Sequence, residues 1–335
     1  MPSPSRELRF VKRPDGAFGP EDWEIAESTV ADPAEGEFLV DVTHISVNPA
    51  MRGLMDDKPS YVPPAKVGEV FPAGAAGRVR ASRNPRFADG DVVSGPFGLR
   101  TVALSDGRGV LRLDLDAAPP ELWLGLLGDT GLTAYFGLLE IGAMEAGDTV
   151  AVSAAAGAVG GAAGQIARIK GDRAIGIAGG PEKVRYAVEE LGYEAAIDYK
   201  SEPVEERLRE LTGEHGVDVF FDNVGGQILD DVLANLAWGA RVVICGAISQ
   251  YDTAGAWRGP ANYWQLLVKR SRMEGFLVFD FAKKFPAARA EMLKWLADGS
   301  LVASTEVLDG SLEEFPAALR RLFDGANVGK LILRI

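Results

Sequence analysis

The chain has 335 residues and a formal net charge of −13; 47% of its residues are hydrophobic and 25% are charged. This composition excludes a largely disordered chain, and the length predicts two domains because one domain usually takes about 100–200 residues. The negative charge disfavours nucleic acid and anionic membrane surfaces as partners. With one cysteine, Cys245, and two histidines, the chain can form neither an internal disulfide nor an ordinary Cys/His zinc cluster. We therefore expect no bound metal and a cytoplasmic protein.

The first part of the chain is predicted to be rich in β-strands. Apolar residues alternate over 38–47, and a second β-like run over 67–79 is interrupted by glycines. Short alternating runs separated by Gly, Pro and Asp are typical of strands joined by tight turns. We predict a compact β-rich domain over residues 1–122.

Strands and helices alternate over residues 123–298. The predicted strands are Asp148–Ser153, Ala174–Ala178, Val217–Phe221, Ala240–Cys245 and Gly275–Phe279, and the predicted helices are Gly160–Ile169, Pro181–Leu191 and Gln227–Leu236. Continuous apolar strands that alternate with helices indicate an α/β domain with a doubly wound parallel sheet. Residues 299–335 are predicted to return to the first domain, with Leu331–Ile335 as a terminal strand in it.

No targeting or membrane-spanning segment is expected. The N-terminal residues are polar and lack the apolar core of a signal peptide. The stretch from Thr149 to Ala167 is uncharged and long enough to cross a bilayer. It consists mostly of small residues, however, and glycine at this density destabilises a helix.

A glycine-rich segment follows the first predicted strand of the α/β region. It fits a dinucleotide-binding loop in which Ala155 replaces the first glycine of G-x-G-x-x-G. Gly157 would let the backbone approach a pyrophosphate, while Gly160 and Gly164 would let the following helix lie close to the sheet. The alternative is that these small residues serve only tight helix packing. The position between a strand and a helix favours cofactor binding.

The next predicted strand indicates which dinucleotide is bound. NAD-binding sheets usually carry an Asp or Glu at the end of this strand, where it holds a ribose hydroxyl. Here the strand ends Ala178-Gly179-Gly180, and Lys183 follows at the start of the next helix. A cation beside a neutral turn suits a 2′-phosphate, so NADPH is predicted. The alternative for Lys183 is a solvated surface lysine.

Ten motifs in order resemble one known family. They are NPAMRG (48–53), SYVPP (60–64), GLTAYFGLL (131–139), AAAGAVG (154–160), GGPEKV (179–184), DYK (198–200), FDNVGG (221–226), CGAISQY (245–251), RMEGF (272–276) and NVGK (327–330). This set is similar to the zinc-free medium-chain dehydrogenases/reductases, in the branch of the prostaglandin reductases, leukotriene B4 12-hydroxydehydrogenases and bacterial curcumin reductases. The resemblance covers nearly the whole chain.

The resemblance implies a GroES-like catalytic domain joined to a Rossmann domain, with the active site between them. It also implies NADPH as cofactor, reduction of the C=C bond of α,β-unsaturated ketones and aldehydes, and a homodimer. The cofactor-binding residues that it implies are Gly157, Ala158, Val159, Gly160, Lys183, Tyr199, Asn223, Cys245, Gly246, Ala247, Ile248, Ser249, Gln250, Tyr251, Phe276, Leu277, Val278 and Asn327. One departure is Gly128-Asp129-Thr130, where many relatives carry a proline-containing turn.

The expected chemistry needs a hydroxyl donor and no metal. Hydride addition to the β-carbon of an enone leaves negative charge on the carbonyl oxygen, which a hydroxyl group can stabilise. Tyr251 is the candidate donor because it lies just beyond the carboxyl end of a predicted strand, where ligands bind in such sheets. The alternative is an aromatic residue that only contacts the cofactor. Tyr61, in the first domain, is the second catalytic candidate.

Two other functions remain open at this stage. A quinone reductase would use the same fold and cofactor on a flatter substrate. A protein that binds NADPH without catalysis is a further alternative. The motifs favour the enone reductase but leave its natural substrate undetermined.

Overall fold

The computed structural model describes residues 2–58, 60–251 and 257–335. The chain divides into two compact units. The first unit comprises Met1–Gly125, Thr305–Asn327 and Leu331–Ile335, and the second comprises Leu126–Ser304 and Val328–Lys330. The C-terminal part of the chain therefore contributes to both units.

The described residues form strands and helices with the following bounds. The strands are β1 (Ser3–Phe10), β2 (Trp23–Val30), β3 (Phe38–Ser46), β4 (Ala75–Ser82), β5 (Val92–Gly95), β6 (Val102–Ser105), β7 (Leu111–Arg112), β8 (Thr149–Ser153), β9 (Arg173–Ala178), β10 (Ala195–Asp198), β11 (Val217–Asp222), β12 (Leu236–Ile244), β13 (Arg272–Gly275), β14 (Thr305–Asp309) and β15 (Lys330–Arg334). The α-helices are α1 (Met51–Leu54), α2 (Pro120–Trp123), α3 (Asp129–Phe136), α4 (Ala158–Ile169), α5 (Pro181–Glu189), α6 (Val204–Thr212), α7 (Gly226–Leu233), α8 (Trp264–Val268), α9 (Phe285–Ala297) and α10 (Phe315–Phe323).

The first unit is built on a β-sheet. Within the described part of the chain its strand order is β14-β15-β3-β4-β5-β7, with β6 also paired to β3. The terminal strand β15 lies antiparallel to β3, with Ile332 opposite Ser46. Its core contains an edge-to-face aromatic cluster in which Trp23 contacts Phe10, Phe71 and Phe315.

The second unit contains a parallel sheet. Among the described residues, its six strands follow the order β10-β9-β8-β11-β12-β13, and every neighbouring pair is parallel. The order reverses direction between β8 and β11, which is where ligands bind in doubly wound sheets. Each residue of β8 and β11 is buried, as expected for strands covered on both faces. The predicted fold class is therefore confirmed.

Two predicted elements differ from the structure. The strand predicted at 275–279 is wrong: β13 ends at Gly275, opposite Ile244, the last residue of β12. The apolar residues beyond it enter a helical turn over Val278–Lys284. The helix predicted to reach Leu236 stops at Leu233, because β12 already begins at Leu236.

The uncharged stretch over 149–167 is divided between β8 and α4. In the described part of the chain, no helix has both the length and the apolar character needed to cross a membrane.

Candidate functional site

The carboxyl ends of β8, β9, β11 and β12 meet at one edge of the parallel sheet of the second unit, which we call the carboxyl edge. Parallel strands place their carboxyl ends on the same side, and a ligand site forms in the loops that follow them. Most residues predicted to hold the cofactor lie in these loops. The ends of the strands are Ser153, Ala178, Asp222 and Ile244.

The glycine loop joins β8 to α4. Ala154 has a positive φ of 52°, and its carbonyl oxygen accepts a hydrogen bond of 2.8 Å from Gly157 N–H. A non-glycine residue with positive φ is strained, and such strain is often found at binding sites. Gly157 then caps α4, whose first N–H groups lack acceptors within the helix. These groups make the loop suited to an anion.

The glycines of this loop serve two purposes. A Cβ atom on Gly160 would lie 2.2 Å from the Ala154 carbonyl oxygen, and one on Gly164 would lie 2.1 Å from the Tyr193 ring. Both positions therefore require glycine for internal packing. A Cβ on Gly157 would meet only Ala154, at 3.1 Å or more. Gly157 is thus the loop glycine that a pyrophosphate can approach.

The turn at the end of β9 is covered by one aromatic and one cationic side chain from the segment that follows β10. A Cβ on Gly179 would lie 2.9 Å from the Tyr199 hydroxyl and 3.0 Å from Lys200 Cε, so both side chains cover this glycine. Gly180 has a positive φ of 95° and leads into α5, whose first turn contains Lys183. The structure thus brings the predicted Tyr199 to the predicted glycine turn.

Lys200 was not recognised in the sequence, although it directly follows Tyr199. It reaches Gly179 because of a turn built by Asp198, whose carboxylate accepts hydrogen bonds from the backbone N–H groups of Gly180 (2.7 Å) and Lys200 (3.0 Å). The Gly180 hydrogen bond is the largest cause that lowers the pKa of Asp198. This carboxylate is therefore committed to the backbone rather than to a ribose hydroxyl.

Asp222, at the end of β11, is completely buried and organises the loop that contains Asn223. Its carboxylate accepts hydrogen bonds from the Ser153 hydroxyl (2.8 Å) and from the N–H groups of Val224 (2.9 Å) and Gly225 (3.0 Å). Burial raises the pKa of Asp222, and these donors oppose that shift. Asn223 donates from its side chain to the Ser153 carbonyl oxygen at 2.7 Å.

The segment from Cys245 to Tyr251 follows β12 and is joined to the Asn223 loop by backbone hydrogen bonds. The Ile248 N–H donates to the Asn223 carbonyl at 3.2 Å. Tyr251 folds back so that its hydroxyl oxygen accepts a hydrogen bond of 3.0 Å from Ala247 N–H. Burial is the main cause that raises the pKa of the Cys245 thiol to about 12, so the thiol is not activated as a nucleophile.

The NVGK motif also reaches the glycine loop. Gly329 N–H donates a 2.8 Å hydrogen bond to the Ala156 carbonyl, and Gly329 forms a bridge with Gly157. A Cβ on Gly329 would lie 2.1 Å from the Ser304 hydroxyl, so the close approach requires glycine. Lys330, which follows, is 3% exposed. Its burial was not anticipated from the sequence.

The remaining predicted residues occupy several places. Phe276 packs beside Gly137, where a Cβ would lie 2.7 Å from its ring, and Val278 is buried in the second unit. Asn327 is the last residue of its segment in the first unit and directly precedes Val328. Tyr61 is exposed in the first unit, and its catalytic role stays a prediction.

The residues at the carboxyl edge fit a dinucleotide. The backbone at Gly157, the start of α4 behind it and the Gly179 turn that Lys200 covers are the features that a pyrophosphate and a further phosphate need. No group of three or more His, Cys, Asp or Glu suited to a metal ion occurs among the residues described by the structure.

Known proteins resemble this chain along nearly its full length. Residues 6–113 match the family described as N-terminal domain of oxidoreductase, and residues 158–298 match the family described as zinc-binding dehydrogenase. The NADPH-dependent curcumin reductase of Escherichia coli (strain K12) is 37% identical over 336 residues, which cover 99% of this chain and 97% of that protein. Prostaglandin reductase 1 of Mus musculus is 38% identical over 305 residues, 89% of each chain.

A solved structure agrees with the fold. The crystal structure of CurA in complex with NADPH from Vibrio vulnificus superposes with a TM-score of 0.93, at 39% identity and 98% coverage of both chains. The chain therefore belongs to the medium-chain dehydrogenase/reductase family. Within it, the relatives define the zinc-free branch that contains curcumin reductase and prostaglandin reductase.

Proposed function

We propose that this protein uses NADPH to reduce the carbon–carbon double bond of α,β-unsaturated ketones and aldehydes. The observation that carries the proposal is the similarity, over 99% of the chain, to a curcumin reductase whose name states NADPH dependence. The carboxyl edge supports it, because the glycine loop, the turn with Tyr199 and Lys200, and the Tyr251 segment are all attached to one sheet.

The proposed cofactor site follows the carboxyl edge. The pyrophosphate is assigned to the backbone over 157–160, and the 2′-phosphate to Lys183 and Tyr199, with Lys200 beside them. Asn223, the segment over 245–251, Phe276, Leu277, Val278 and Asn327 are assigned to the remainder. When bound, NADPH supplies the hydride that the substrate receives at its β-carbon.

The chain itself must stabilise the negative charge that develops on the carbonyl oxygen of the substrate. Tyr251 lies at the end of the segment that follows β12, and the hydrogen bond that its hydroxyl oxygen accepts from Ala247 N–H holds the phenol in place. A fixed donor aimed at a developing oxyanion lowers the barrier because it acts more strongly in the transition state. We assign this role to Tyr251, with Tyr61 as the second candidate.

Turnover assays test the proposed activity. NADPH oxidation is followed with a panel of enones and alkenals and with a matched panel of quinones. The proposal expects faster turnover of the enones, and chelator treatment should leave the rate unchanged. Faster turnover of quinones would favour the quinone reductase alternative, and NADPH binding without any turnover would favour a binding protein.

We also propose a homodimer joined through β13. This strand is the last of the parallel sheet, and each of its four residues is exposed. An unpaired strand edge is a template for pairing with another chain. The apolar side chains of Trp264, Leu267 and Met273 are exposed on and near it, with 62% exposure at Leu267. A second copy of this chain would pair with the strand and cover these side chains.

Light scattering after size-exclusion chromatography tests the dimer. The double variant Leu267→Asp, Met273→Asp is expected to be monomeric, because it places charges on the apolar surface beside β13. Leu115→Asp, which changes an exposed leucine of the first unit, is the matched control and should remain dimeric. A monomeric unaltered protein, or a double variant that stays dimeric, would contradict the proposal.

The cytoplasm is the proposed location. Cys245 is the only cysteine, so the fold depends on no internal disulfide. Fractionation of cells that produce the untagged protein would test this assignment, and recovery in the secreted or membrane fraction would contradict it.

A further inference from the structure

Asp222 lies at the carboxyl edge but has no role in the proposed reaction or in the proposed contacts with the cofactor. It is a completely buried carboxylate at the carboxyl edge, and the hydrogen bonds around it join the ends of three strands. The Ser153 hydroxyl, at the end of β8, donates to its Oδ1 at 2.8 Å. Its main-chain carbonyl accepts from Cys245 N–H (2.9 Å) and Gly246 N–H (3.1 Å), which follow β12.

The same residue shapes the loop after its own strand. Its Oδ1 also accepts from the N–H groups of Val224 (2.9 Å) and Gly225 (3.0 Å), and Oδ2 lies 3.1 Å from Gly225 N. Asn223, between these groups, donates from its backbone N–H to the Ser153 hydroxyl oxygen at 2.8 Å. A carboxylate oxygen that accepts several hydrogen bonds holds their donors firmly in place, because hydrogen bonds to charged groups are about twice as strong as neutral ones.

We propose that Asp222 is a positioning residue for cofactor binding, whose carboxylate holds the Asn223 loop in the conformation that accepts NADPH. This inference rests on the proposed function, which assigns Asn223 and the segment over 245–251 to the cofactor. Without the carboxylate, the loop populates other conformations, and the apparent affinity falls by the fraction that is no longer competent.

The chain contains a matched control on the same strand. Asp218, near the amino end of β11, is also buried and also bridges to β8, because its carboxylate accepts a 2.9 Å hydrogen bond from Thr149 N–H. Its other contact is His215 Nε2 at 2.8 Å. Asp218 and Asp222 thus both link β11 to β8 through a buried carboxylate, at opposite ends of the strand. Only Asp222 adjoins the carboxyl edge.

The experiment compares the NADPH dissociation constant and the free energy of unfolding of the full-length protein and its variants. Asp222→Asn keeps the volume of the side chain but removes its charge and turns an amide N–H toward Gly225 N–H. We expect the NADPH dissociation constant to rise about tenfold or more, because this is the change that corresponds to the free energy of a charge-assisted hydrogen bond. Asp218→Asn should lower stability while the dissociation constant stays within about twofold.

A second variant keeps the inference testable where Asp222→Asn does not fold. Ser153→Ala removes one donor to Asp222 and the acceptor of Asn223 N–H, and it should raise the dissociation constant in the same direction by a smaller factor. Unchanged NADPH affinity in Asp222→Asn, or in Ser153→Ala where Asp222→Asn does not fold, would overturn this inference alone, provided that the unaltered protein binds NADPH. An unaltered protein that binds no NADPH would overturn the proposed function and this inference with it.

Discussion

At the residue scale, Lys183 tests the choice between NADPH and NADH. It lies in the first turn of α5, directly after the Gly179-Gly180 turn that Tyr199 and Lys200 cover. Lys183→Ala is expected to raise the dissociation constant of NADPH about tenfold or more, because a charge-assisted phosphate contact contributes about 1.5–3 kcal/mol. The affinity for NADH should change little, since NADH has no 2′-phosphate.

The matched control for this prediction is Lys294→Ala, which removes an exposed lysine from α9 in the same unit. Titrations with both nucleotides give the four dissociation constants that are needed. An equal loss of affinity for NADPH and NADH in Lys183→Ala would remove this lysine from the 2′-phosphate site. Lys200→Ala in the same assay measures the contribution of the second cation.

Variants of Tyr251 distinguish a residue that donates a hydrogen bond to the substrate from one that only contacts the cofactor. Tyr251→Phe removes the acceptor of Ala247 N–H and the O–H group but retains the ring. Single-turnover hydride transfer to a simple enone, at saturating NADPH, should slow by up to about 10²-fold, the lower end of the roughly 10²–10³-fold that removal of one oxyanion donor typically costs. Tyr263→Phe, at an exposed tyrosine of the same unit, should react at the unaltered rate.

The outcome that argues against a donor is equally clear. If Tyr251→Phe leaves the hydride step unchanged while Tyr251→Ala weakens NADPH binding, the ring is a wall of the cofactor site. Tyr61→Phe then becomes the next variant to measure.

At the element scale, the contact between α4 and the loop before β10 depends on Gly164. A Cβ there would lie 2.1 Å from the Tyr193 ring, whose hydroxyl is fixed by a 2.6 Å hydrogen bond to the Gly160 carbonyl. Gly164→Ala should therefore lower the free energy of unfolding by about 1–3 kcal/mol, as overpacking of a core does. Gly161→Ala, where a Cβ meets the Leu191 side chain at 3.1 Å and the Ala155 carbonyl oxygen at 3.6 Å, should cost clearly less.

Urea unfolding of the two glycine variants checks this prediction. Alanine is preferred over glycine in helices by about 1 kcal/mol, so Gly161→Ala benefits from propensity while Gly164→Ala does not recover its clash. Equal stability of the two variants would contradict the packing that is described for α4.

The elements that could be predicted from sequence are those specified by local patterns. β8, α4 and β9 form where continuous apolar strands flank a glycine-rich helix start, and each of these patterns lies within a few residues. The end of β13 could not be predicted in this way, because it is set by the end of β12. Of the apolar residues beyond the end of β13, Val278 is buried and Phe279 is exposed.

The candidate site also combines features that local sequence patterns specify with features that depend on residues far apart in the chain. The glycine loop and the turn at Gly179 carry local signals, so both were predicted together with Lys183. The pairing of Ser153 with Asp222 joins residues that are 69 positions apart, and only the register of β8 against β11 brings them together. The FDNVGG motif contained Asp222, but nothing in its spacing identified the partner.

At the scale of the whole molecule, buried Lys330 makes stability depend on pH. Burial lowers the pKa of Lys330 to about 7, and Asp129 opposes this shift. In the unfolded chain a lysine has a pKa of about 10.4, so between about pH 7 and about pH 10.4 the unfolded state binds a proton that the folded state lacks. The contribution of Lys330 to stability therefore rises with pH across this window, by at most about 1.4 kcal/mol per pH unit.

The comparison of the unaltered protein with Lys330→Met isolates this contribution from other titrating groups. Free energies of unfolding measured at about pH 7.5 and about pH 9 should show the unaltered protein gaining stability relative to the variant. A difference that is constant, or that falls with pH, would contradict a lowered pKa for Lys330.

The most direct test of the proposed function follows where the hydride goes. The protein is supplied with an enone and with NADPH that carries deuterium at the transferred position of the nicotinamide. The proposal predicts a saturated carbonyl product with deuterium on the β-carbon. An allylic alcohol with deuterium on the former carbonyl carbon, or an enone recovered unchanged while quinones are reduced, would contradict it.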